Sequence, residues 1–306
     1  MRCNLLMTLA LATSLTMTAI SLPALATPLS WTQLSALPLP PPGEKIAYGP
    51  APQQFGELRL PAGKPPRKQG WPVVVLVHGG CWQSEYDYVY FNRMAAALAD
   101  AGMASWTLEY RRLGDAGGGW PNTFLDVAQG TDALRAIAKS HGIDVRRVVS
   151  MGHSAGGHLA LWLAARHKLP TTSALHTAQP LALQGVVGLA AITDLAQYRI
   201  GDPESCNAAV DSLMGGSDAE QPLRYAQGSP RALLPLGIPQ WLVQGSADAI
   251  VPAAGVQAYA QAVRAAGDTV NLTLEDGLGH FDVVAPSGPL GSAAVAAAAS
   301  LLGPHR

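Results

Sequence analysis

The stretch MGHSAGGHL, residues Met151–Leu159, contains one serine framed by glycines at Gly152 and Gly156. An apolar strand pattern, Arg147–Met151, runs into this stretch, and an alanine- and leucine-rich helical pattern follows the serine. A sharp turn from strand to helix holds its serine in a strained conformation and leaves room only for small neighbours. It also places the hydroxyl beside a helix N-terminus. The stretch therefore predicts that Ser154 is a nucleophile; the alternative is a glycine-rich turn with an incidental serine.

Strand and helix patterns alternate along the rest of the chain. Val73–Val77 is a continuous apolar run, which is typical of a strand buried on both faces of a parallel sheet. Further strands are expected at Glu57–Leu60, Met103–Tyr110, Arg147–Met151, Leu183–Ala191, Gln240–Gln244 and Val270–Leu274. Helices are expected at Phe91–Ala101, Asn122–Lys139, Ala155–His167, Ala253–Ala266 and Ser292–Leu302. This order predicts an α/β fold with a mostly parallel central sheet and helices on both faces.

One long segment interrupts the alternation. Residues 194–238 contain no clear strand pattern and several chain-breaking residues. Long insertions of this kind are usually functional or irregular. We interpret the segment as an irregular, cap-like insertion over an active site, with a passive surface excursion as the alternative. Residues 45–306 are then a single domain.

The N-terminal residues differ from the rest of the chain. Arg2 gives a positive start, an uncharged apolar run follows, and Ala24-Leu25-Ala26 ends it with small residues. This pattern predicts a signal peptide, residues 1–26, cleaved after Ala26, and hence a secreted or periplasmic protein. The alternative is an uncleaved anchor, but the run is short for a membrane span, so no stable span is expected after cleavage. The proline-rich residues 27–44 are interpreted as an extended leader.

The net charge bears on which partners the protein binds, and the cysteines bear on whether it forms a disulfide. The 306 residues carry a formal net charge of −1 at pH 7 and show no basic stripe, which argues against a nucleic-acid partner. Nothing in the pattern indicates an oligomeric state. Cys3 lies in the predicted signal peptide, which leaves Cys81 and Cys206. In an oxidising compartment these two could form one disulfide, or they could remain separate buried thiols; both readings stay open.

A second glycine-rich motif follows the Val73–Val77 strand. The sequence His78-Gly79-Gly80-Cys81 stands at the point where that strand ends. Acyl transfer builds negative charge on a carbonyl oxygen, which backbone N–H groups commonly stabilise. We expect N–H groups of Gly80 or Cys81, together with that of Ala155, to form such an oxyanion hole. The alternative is an ordinary turn at the end of a strand.

A nucleophilic serine needs a histidine base and an acid that orients it. The histidines downstream of the serine are His158, His167, His176, His280 and His305. Of these, His280 lies in a loop just past the Val270–Leu274 strand, and Asp248 follows the Gln240–Gln244 strand. Catalytic groups collect at the carboxyl edge of a parallel sheet. The sequence therefore predicts a Ser154–Asp248–His280 triad, with Asp194 as the second candidate acid and with no metal or cofactor.

The histidines closest to the serine in sequence are given other roles. We expect His153 to face away from the hydroxyl, because the turn constrains its neighbours. His158 is expected to pack or to form a hydrogen bond beneath the site, and His78 to hold its own loop.

Together, these motifs resemble those of the α/β-hydrolase fold over nearly the whole chain after residue 26. The motifs occur in that family's order: HGGCW at 78–82, GHSAGGHLA at 152–160, GSADAIVP at 245–252 and GHFD at 279–282. Within the fold, the chain resembles the carboxylesterase branch that includes hormone-sensitive-lipase-like esterases and kynurenine formamidases. The HGG-x-W form with Trp82 looks most like the formamidases, whereas the signal-peptide pattern departs from that cytosolic group.

This resemblance implies hydrolysis of an ester or of an aryl formamide. We predict a secreted serine hydrolase that cleaves small carboxylic esters, with an arylformamidase as the nearest alternative. A catalytically silent binding protein on a hydrolase scaffold is the alternative from another class. Trp82, Tyr110 and Phe281 are expected to contact the substrate, with Tyr86 and Trp120 also near the site, and core packing is the alternative for each.

Overall fold

The computed structural model describes residues 27–65, 68, 70–201 and 205–303. The predicted signal peptide, residues 1–26, lies outside the described residues. The strands are β1 Glu44–Ala47, β2 Phe55–Arg59, β3 Trp71–Val77, β4 Ala104–Leu108, β5 Ile143–His153, β6 Gly185–Leu189, β7 Gln240–Gly245 and β8 Val270–Glu275. In the described part of the chain, the α-helices are α1 Trp31–Ala36, α2 Asn92–Asp100, α3 Asn122–Asp132, α4 Leu134–His141, α5 Ala155–Ala165, α6 Leu195–Tyr198, α7 Asn207–Met214, α8 Pro222–Gly228, α9 Ala253–Ala265 and α10 Pro289–Leu302.

The strands form one sheet in the order β1-β2-β4-β3-β5-β6-β7-β8. The pairings from β4 through β8 are parallel, and β1 and β2 run antiparallel at one edge. Each sequence-predicted strand is present, and β1 is additional. Because parallel strands end at the same edge, β3, β5, β7 and β8 bring their following loops together.

Both faces of the sheet are buried, which the continuous apolar run of β3 indicates. Val73, Val75 and Val77 belong to one apolar cluster, whereas Val74 and Leu76 belong to another. Alternate side chains of a strand point to opposite faces, so the two clusters lie on opposite sides of the sheet. The first cluster includes residues of α3, α5 and α9, and the second includes residues of α2 and α10. The prediction of a mostly parallel sheet with helices on both faces is confirmed.

The N-terminal segment is not the extended leader that its prolines suggest. It forms the short helix α1, which begins with a capping box in which Ser30 and Gln33 satisfy each other's backbone N–H groups. Leu34 of this helix is completely buried in the cluster of α2 and α10. Arg93 of α2 donates to the carbonyl oxygens of Leu37 and Pro38, which fixes the segment beyond the helix.

Two other expectations are corrected. The pattern Asn122–Lys139 is two helices rather than one, because the chain tightens at Ala133, whose carbonyl accepts from the N–H of Ala136 three residues on. The insertion at 194–238 is not irregular: its described residues include α6, α7, α8 and a 3-10 turn at Pro230–Leu233. These helices are only 4, 8 and 7 residues long, which is too short for a hydrophobic period to stand out in the sequence.

Among the described residues, none of the helices combines the length and the apolar character needed to cross a membrane.

The buried anchor of α1 gives a prediction on stability. Replacing Leu34 with alanine should lower the free energy of unfolding by about 2–5 kcal/mol, because a completely buried leucine leaves a cavity when it is truncated. Urea denaturation followed by fluorescence or circular dichroism measures this difference. Leu39→Ala is the matched control from the same segment, since Leu39 is 50% exposed; it should change stability by no more than about 0.5 kcal/mol. Equal losses for the two variants would contradict a docked N-terminal helix.

Candidate active site

The turn from β5 to α5 places Ser154 at the carboxyl edge of the sheet. Ser154 has φ +57° and ψ −120°, a backbone conformation that non-glycine residues rarely adopt. Its N–H donates to the carbonyl of Leu189 at 2.8 Å, and its own carbonyl accepts from the N–H of His158 at 3.1 Å. These bonds to β6 and α5 hold the strained residue in place, as strained residues at functional sites require.

The glycines of the serine motif are needed because two pieces of backbone touch. A Cβ at Gly152 would overlap the carbonyl oxygen of Gly156, and a Cβ at Gly156 would overlap the carbonyl oxygens of Val77 and His78. The first contact closes the turn on itself. The second seats the start of α5 against the end of β3. The motif therefore joins the serine turn to the loop that follows β3.

That loop, His78–Trp82, is called the HGGCW loop below. Gly80, Cys81 and Trp82 all have positive φ, at +104°, +54° and +56°. The N–H of Gly79 donates to the hydroxyl of Tyr90 at 2.7 Å, so it is already engaged. For the N–H groups of Gly80, Cys81 and Ala155, no hydrogen-bond acceptor occurs among the residues that the structure covers. These are the three donors that the sequence indicates for an oxyanion hole.

The predicted base and acid meet directly. Nδ1 of His280 lies 2.8 Å from Oδ2 of Asp248, and both side chains are largely buried. Asp248 also accepts from the N–H groups of Ile250 and Val251 at 2.9 and 2.8 Å, and from the side-chain amide of Gln244 at 3.1 Å. Because the carboxylate can only accept, Nδ1 carries the proton and Nε2 of His280 is left as an acceptor.

The other candidate acid is placed elsewhere. Asp194 caps the N-terminus of α6, where its carboxylate accepts from the N–H of Gln197 at 3.2 Å. It lies five residues beyond the end of β6, close enough to the predicted end of that strand for the sequence to offer it as a second candidate. A capping role accounts for this aspartate.

Ser154 and His280 line the same cavity, which has a volume of about 560 Å³. The side chains and backbone around it come from Trp31, Gly80, Cys81, Gln83, Tyr86, Tyr90, His153, Ser154, Ser205, Cys206, Ala208, Ala209, Ile250, His280 and Phe281. The HGGCW loop and the loops after β5, β7 and β8 form the base, and the start of α7 forms one wall. The 194–238 segment thus contributes to the cavity through α7.

The structure separates the aromatic residues that the sequence grouped together. Phe281 and Tyr86 line the cavity. Trp82 and Tyr110 do not: both are completely buried in the core, which corrects their expected contact with substrate. Trp82 packs edge-on against His158, with ring centroids 5.4 Å apart. Tyr110 stacks on the ring of His78, and its hydroxyl donates to the His78 carbonyl, so Tyr110 supports the HGGCW loop, whose last residue is Trp82. Trp120 lies outside the cavity lining and packs on Phe124.

Trp31 is one of the cavity residues that the sequence did not indicate. Its ring centroid lies 5.6 Å from those of both Tyr86 and Phe281, so the three rings form one aromatic wall. The preceding backbone is fixed by the N–H of Leu29, which donates to Asp282 beside the His280 loop at 3.0 Å. The capping pattern from Ser30 to Gln33 was the available signal that this segment is ordered.

Cys81 and Cys206 form a disulfide, which resolves the alternative that the sequence left open. Their Cα atoms are 4.9 Å apart although 125 residues separate them in sequence. Closing a loop of that length lowers the entropy of the unfolded chain and stabilises the fold by about 4–5 kcal/mol in the chain-entropy model. The bond ties the HGGCW loop to the start of α7, and so joins the floor of the cavity to one wall.

The three remaining histidines near the site have structural partners. Nε2 of His78 lies 3.0 Å from Oε1 of Glu109, and this contact holds the HGGCW loop from beneath. Nε2 of His158 lies 2.8 Å from the carbonyl of Gly228, in the 194–238 segment. His153 forms hydrogen bonds through both ring nitrogens, with the Tyr90 hydroxyl and with the His280 carbonyl.

Burial lowers the pKa of His158 to about 4 and the pKa of His153 well below its usual range, so both rings are neutral near pH 7.

Solved structures share this architecture. Esterase B from Lactobacillus rhamnosis, in a complex inhibited by a tributyrin phosphonate, has a TM-score of 0.74 at 21% identity, over 89% of this chain and 90% of that one. A truncated carbohydrate esterase from gut microbiota has a TM-score of 0.73 at 16% identity, over 86% and 97%. The fold of this chain is therefore the α/β-hydrolase fold, as the motifs predict.

Comparisons with sequence relatives and with a family model identify the family of the chain. The isoprenylcysteine alpha-carbonyl methylesterase of Arabidopsis thaliana is 27% identical over 252 residues, which are 78% of this chain and 56% of the relative. The chain thus spans about half the length of the curated relatives it matches. Residues 60–262 match the family model described as BD-FAE, which is more than half of the chain. The chain belongs to the BD-FAE family and has the α/β-hydrolase fold.

The buried His158 gives a prediction on pH dependence. Its pKa is lower in the folded state than the usual 6.5, so the unfolded chain binds the proton more readily, and stability falls as the pH drops from 6.5 to 4. His158 alone should contribute a loss of roughly 3 kcal/mol over that window. Urea denaturation of the wild type and of His158→Gln across this pH range measures the contribution. The variant should show a shallower loss, and parallel curves would contradict the assignment.

Proposed function

We propose that the protein is a serine esterase that hydrolyses small, uncharged carboxylic esters through Ser154, Asp248 and His280. One observation carries this proposal. A serine on a strained strand-to-helix turn shares a cavity with a histidine whose Nδ1 is held by a buried carboxylate. This is the arrangement of nucleophile, base and orienting acid that acyl transfer requires.

In the proposed acylation step, Nε2 of His280 takes the proton of the Ser154 hydroxyl as Oγ attacks the ester carbonyl carbon. The carbonyl oxygen becomes an oxyanion, which the N–H groups of Gly80, Cys81 and Ala155 stabilise. The intermediate then collapses, the bond to the alcohol breaks, and the imidazolium of His280 returns the proton to the leaving alkoxide. Asp248 keeps the proton on Nδ1 throughout.

In the proposed deacylation step, water replaces the alcohol. His280 removes a proton from the water, whose oxygen attacks the acyl-enzyme carbonyl, and the same donors hold the second oxyanion. Collapse releases the carboxylic acid and returns the proton to Ser154 Oγ.

The cavity favours uncharged substrates. Among the described residues that line it, none is an aspartate, glutamate, lysine or arginine. A charged group on the substrate would lose its hydration there without gaining an opposite charge, which is costly. N-formylkynurenine carries an α-ammonium and an α-carboxylate, so this lining supports an ester substrate over the arylformamidase alternative.

The volume and the walls favour small acyl and alcohol groups. About 560 Å³ suits a small organic molecule, with the aromatic wall of Trp31, Tyr86 and Phe281 on one side. The small side chains of Ala208 and Ala209 are on the wall from α7. A planar group would contact the aromatic rings, and a short aliphatic group would fit beside the alanines.

A secreted or periplasmic location belongs to this proposal. Its support is the signal-peptide pattern of residues 1–26, together with a disulfide, which persists in oxidising compartments.

Variants of the proposed triad test the chemistry and exclude the silent binding protein. Ser154→Ala should abolish labelling by a fluorophosphonate and lower kcat on p-nitrophenyl acetate by at least about 10³-fold, and Asp248→Asn should lower kcat by about 10³- to 10⁴-fold. Asp194→Asn is the matched control; asparagine also caps helices, so kcat should stay within about twofold. Wild-type protein that neither labels nor turns over esters would contradict the proposal.

The aromatic wall predicts a selective effect on aryl esters. Trp31→Ala should raise KM for 1-naphthyl acetate by about 2- to 10-fold, because an aromatic contact is worth about 0.5–1.5 kcal/mol. KM for ethyl acetate, and kcat for both esters, should stay within about twofold. Trp31→Phe keeps an aromatic ring and should restore most of the affinity. Steady-state kinetics on the two esters measures this, and an equal KM change for both would rule out the aromatic contact.

A further inference from the structure

A chain of hydrogen bonds connects the HGGCW loop to the candidate base. The N–H of Gly79 lies 2.7 Å from the hydroxyl oxygen of Tyr90, which lies 2.8 Å from Nδ1 of His153. Nε2 of His153 then lies 3.0 Å from the carbonyl oxygen of His280. The loops that follow β3 and β8 are thereby joined through the side chains of Tyr90 and of His153, the last residue of β5. The chemistry of the proposed triad gives neither of these side chains a task.

The direction of every proton in this chain is fixed by its two ends. A carbonyl oxygen can only accept, so Nε2 of His153 carries the proton and Nδ1 must accept. Tyr90 therefore donates its hydroxyl proton to Nδ1, and its oxygen accepts from the N–H of Gly79. Every link has one donor and one acceptor, with no group competing for the same proton.

The residues of this hydrogen-bond chain are buried, so breaking one of its hydrogen bonds is costly. Tyr90, His153 and His280 are only 7%, 2% and 6% exposed. Burial raises the pKa of Tyr90 and lowers that of His153, so both side chains are neutral, as the chain requires. A buried donor or acceptor that loses its partner costs more than an exposed one, because water cannot replace the lost bond. The surroundings are also packed: Tyr90 stacks on Phe91, and Trp31 packs edge-on against Tyr90.

We propose that Tyr90 and His153 are positioning residues, which set the distance between the oxyanion donors and the base; this rests on the proposed esterase function. Gly79 immediately precedes the donors of Gly80 and Cys81, and His153 immediately precedes Ser154. The hydrogen bonds thus hold the nucleophile, the oxyanion hole and the base in a single frame. All three act on the same carbonyl group, and a misplacement of about 1 Å can cost about 10²-fold in rate.

Tyr90→Phe tests this inference with little change of shape. It removes the atom that accepts from Gly79 and donates to His153, and it keeps the ring. We expect kcat on p-nitrophenyl acetate to fall by about tenfold or more, while KM changes by less than about threefold. A residue that only contacts substrate would change KM instead. The second-order rate of fluorophosphonate labelling should fall in parallel, because labelling needs the same nucleophile and oxyanion hole.

Tyr259→Phe is the matched control. The hydroxyl of Tyr259 is likewise buried and donates to Gln240 at 3.0 Å, but Gln240 lies at the opposite end of β7 from Asp248. Thermal unfolding of both variants shows whether the loss of stability is comparable. Tyr259→Phe should keep kcat within about twofold of the wild type. An equal fall of kcat in both variants would mean that general destabilisation explains the effect, and the positioning role would be overturned.

A double-mutant cycle separates one connected chain from two independent contacts. His153→Asn cannot span from Tyr90 to the His280 carbonyl, so it should lower kcat by a similar factor. If the two residues act as one connected hydrogen-bond chain, the second substitution should lower kcat little further. The kcat of the double variant should then match that of the slower single variant within about threefold. Losses that multiply would overturn the inference, as would a Tyr90→Phe enzyme with wild-type kcat. Wild-type activity is the internal check, since its absence would refute the proposed function itself.

Discussion

The structure depends on a single backbone constraint, the left-handed conformation of Ser154 between β5 and α5. Such a turn exists only where the backbones of Gly152 and Gly156 approach without side chains, and where β3 stands close enough to touch the start of α5. β3 and β5 are neighbours in the sheet, which allows this contact, and α5 is buried along its whole length. The parallel sheet then brings the loops of Asp248 and His280 to the same edge. The backbone strain at Ser154 is offset by the packing of the core around it.

Most polar side chains around the site are hydrogen-bonded to other groups of the protein. The Asp248 carboxylate accepts four hydrogen bonds, and His78, His153 and His158 each have a fixed partner. The groups that remain for the proposed substrate include the N–H groups of Gly80, Cys81 and Ala155, the Ser154 hydroxyl and Nε2 of His280. A preorganised site of this kind needs little rearrangement as charge develops on the substrate. Among the described residues, the cavity lining carries no carboxylate, ammonium or guanidinium group, which fits the uncharged ester of the proposed function.

The sequence predicts the fold and the residues that meet at the sheet edge well, for an identifiable physical reason. Strand ends, glycine-rich turns and the order of the loops are local patterns, and a parallel sheet converts them into proximity. The aromatic wall could not be assigned in this way: Trp82 lies in the HGGCW loop and Tyr110 packs against it, but both side chains are completely buried in the core. Trp31 stands in a proline-rich stretch whose contact with the site depends on long-range packing of Leu34 and Asp282. The Tyr90–His153 chain likewise joins loops that are far apart in sequence.

Trp31 lies only a few residues beyond residue 26, which has a practical consequence for anyone who produces this protein. A purification tag fused ahead of Thr27 would begin next to the aromatic wall of the cavity, where it could compete with substrates for the same surface. Kinetic constants measured with and without such a tag would then describe two different cavity entrances. Constants measured without such a tag describe the cavity entrance that the protein's own N-terminal segment forms.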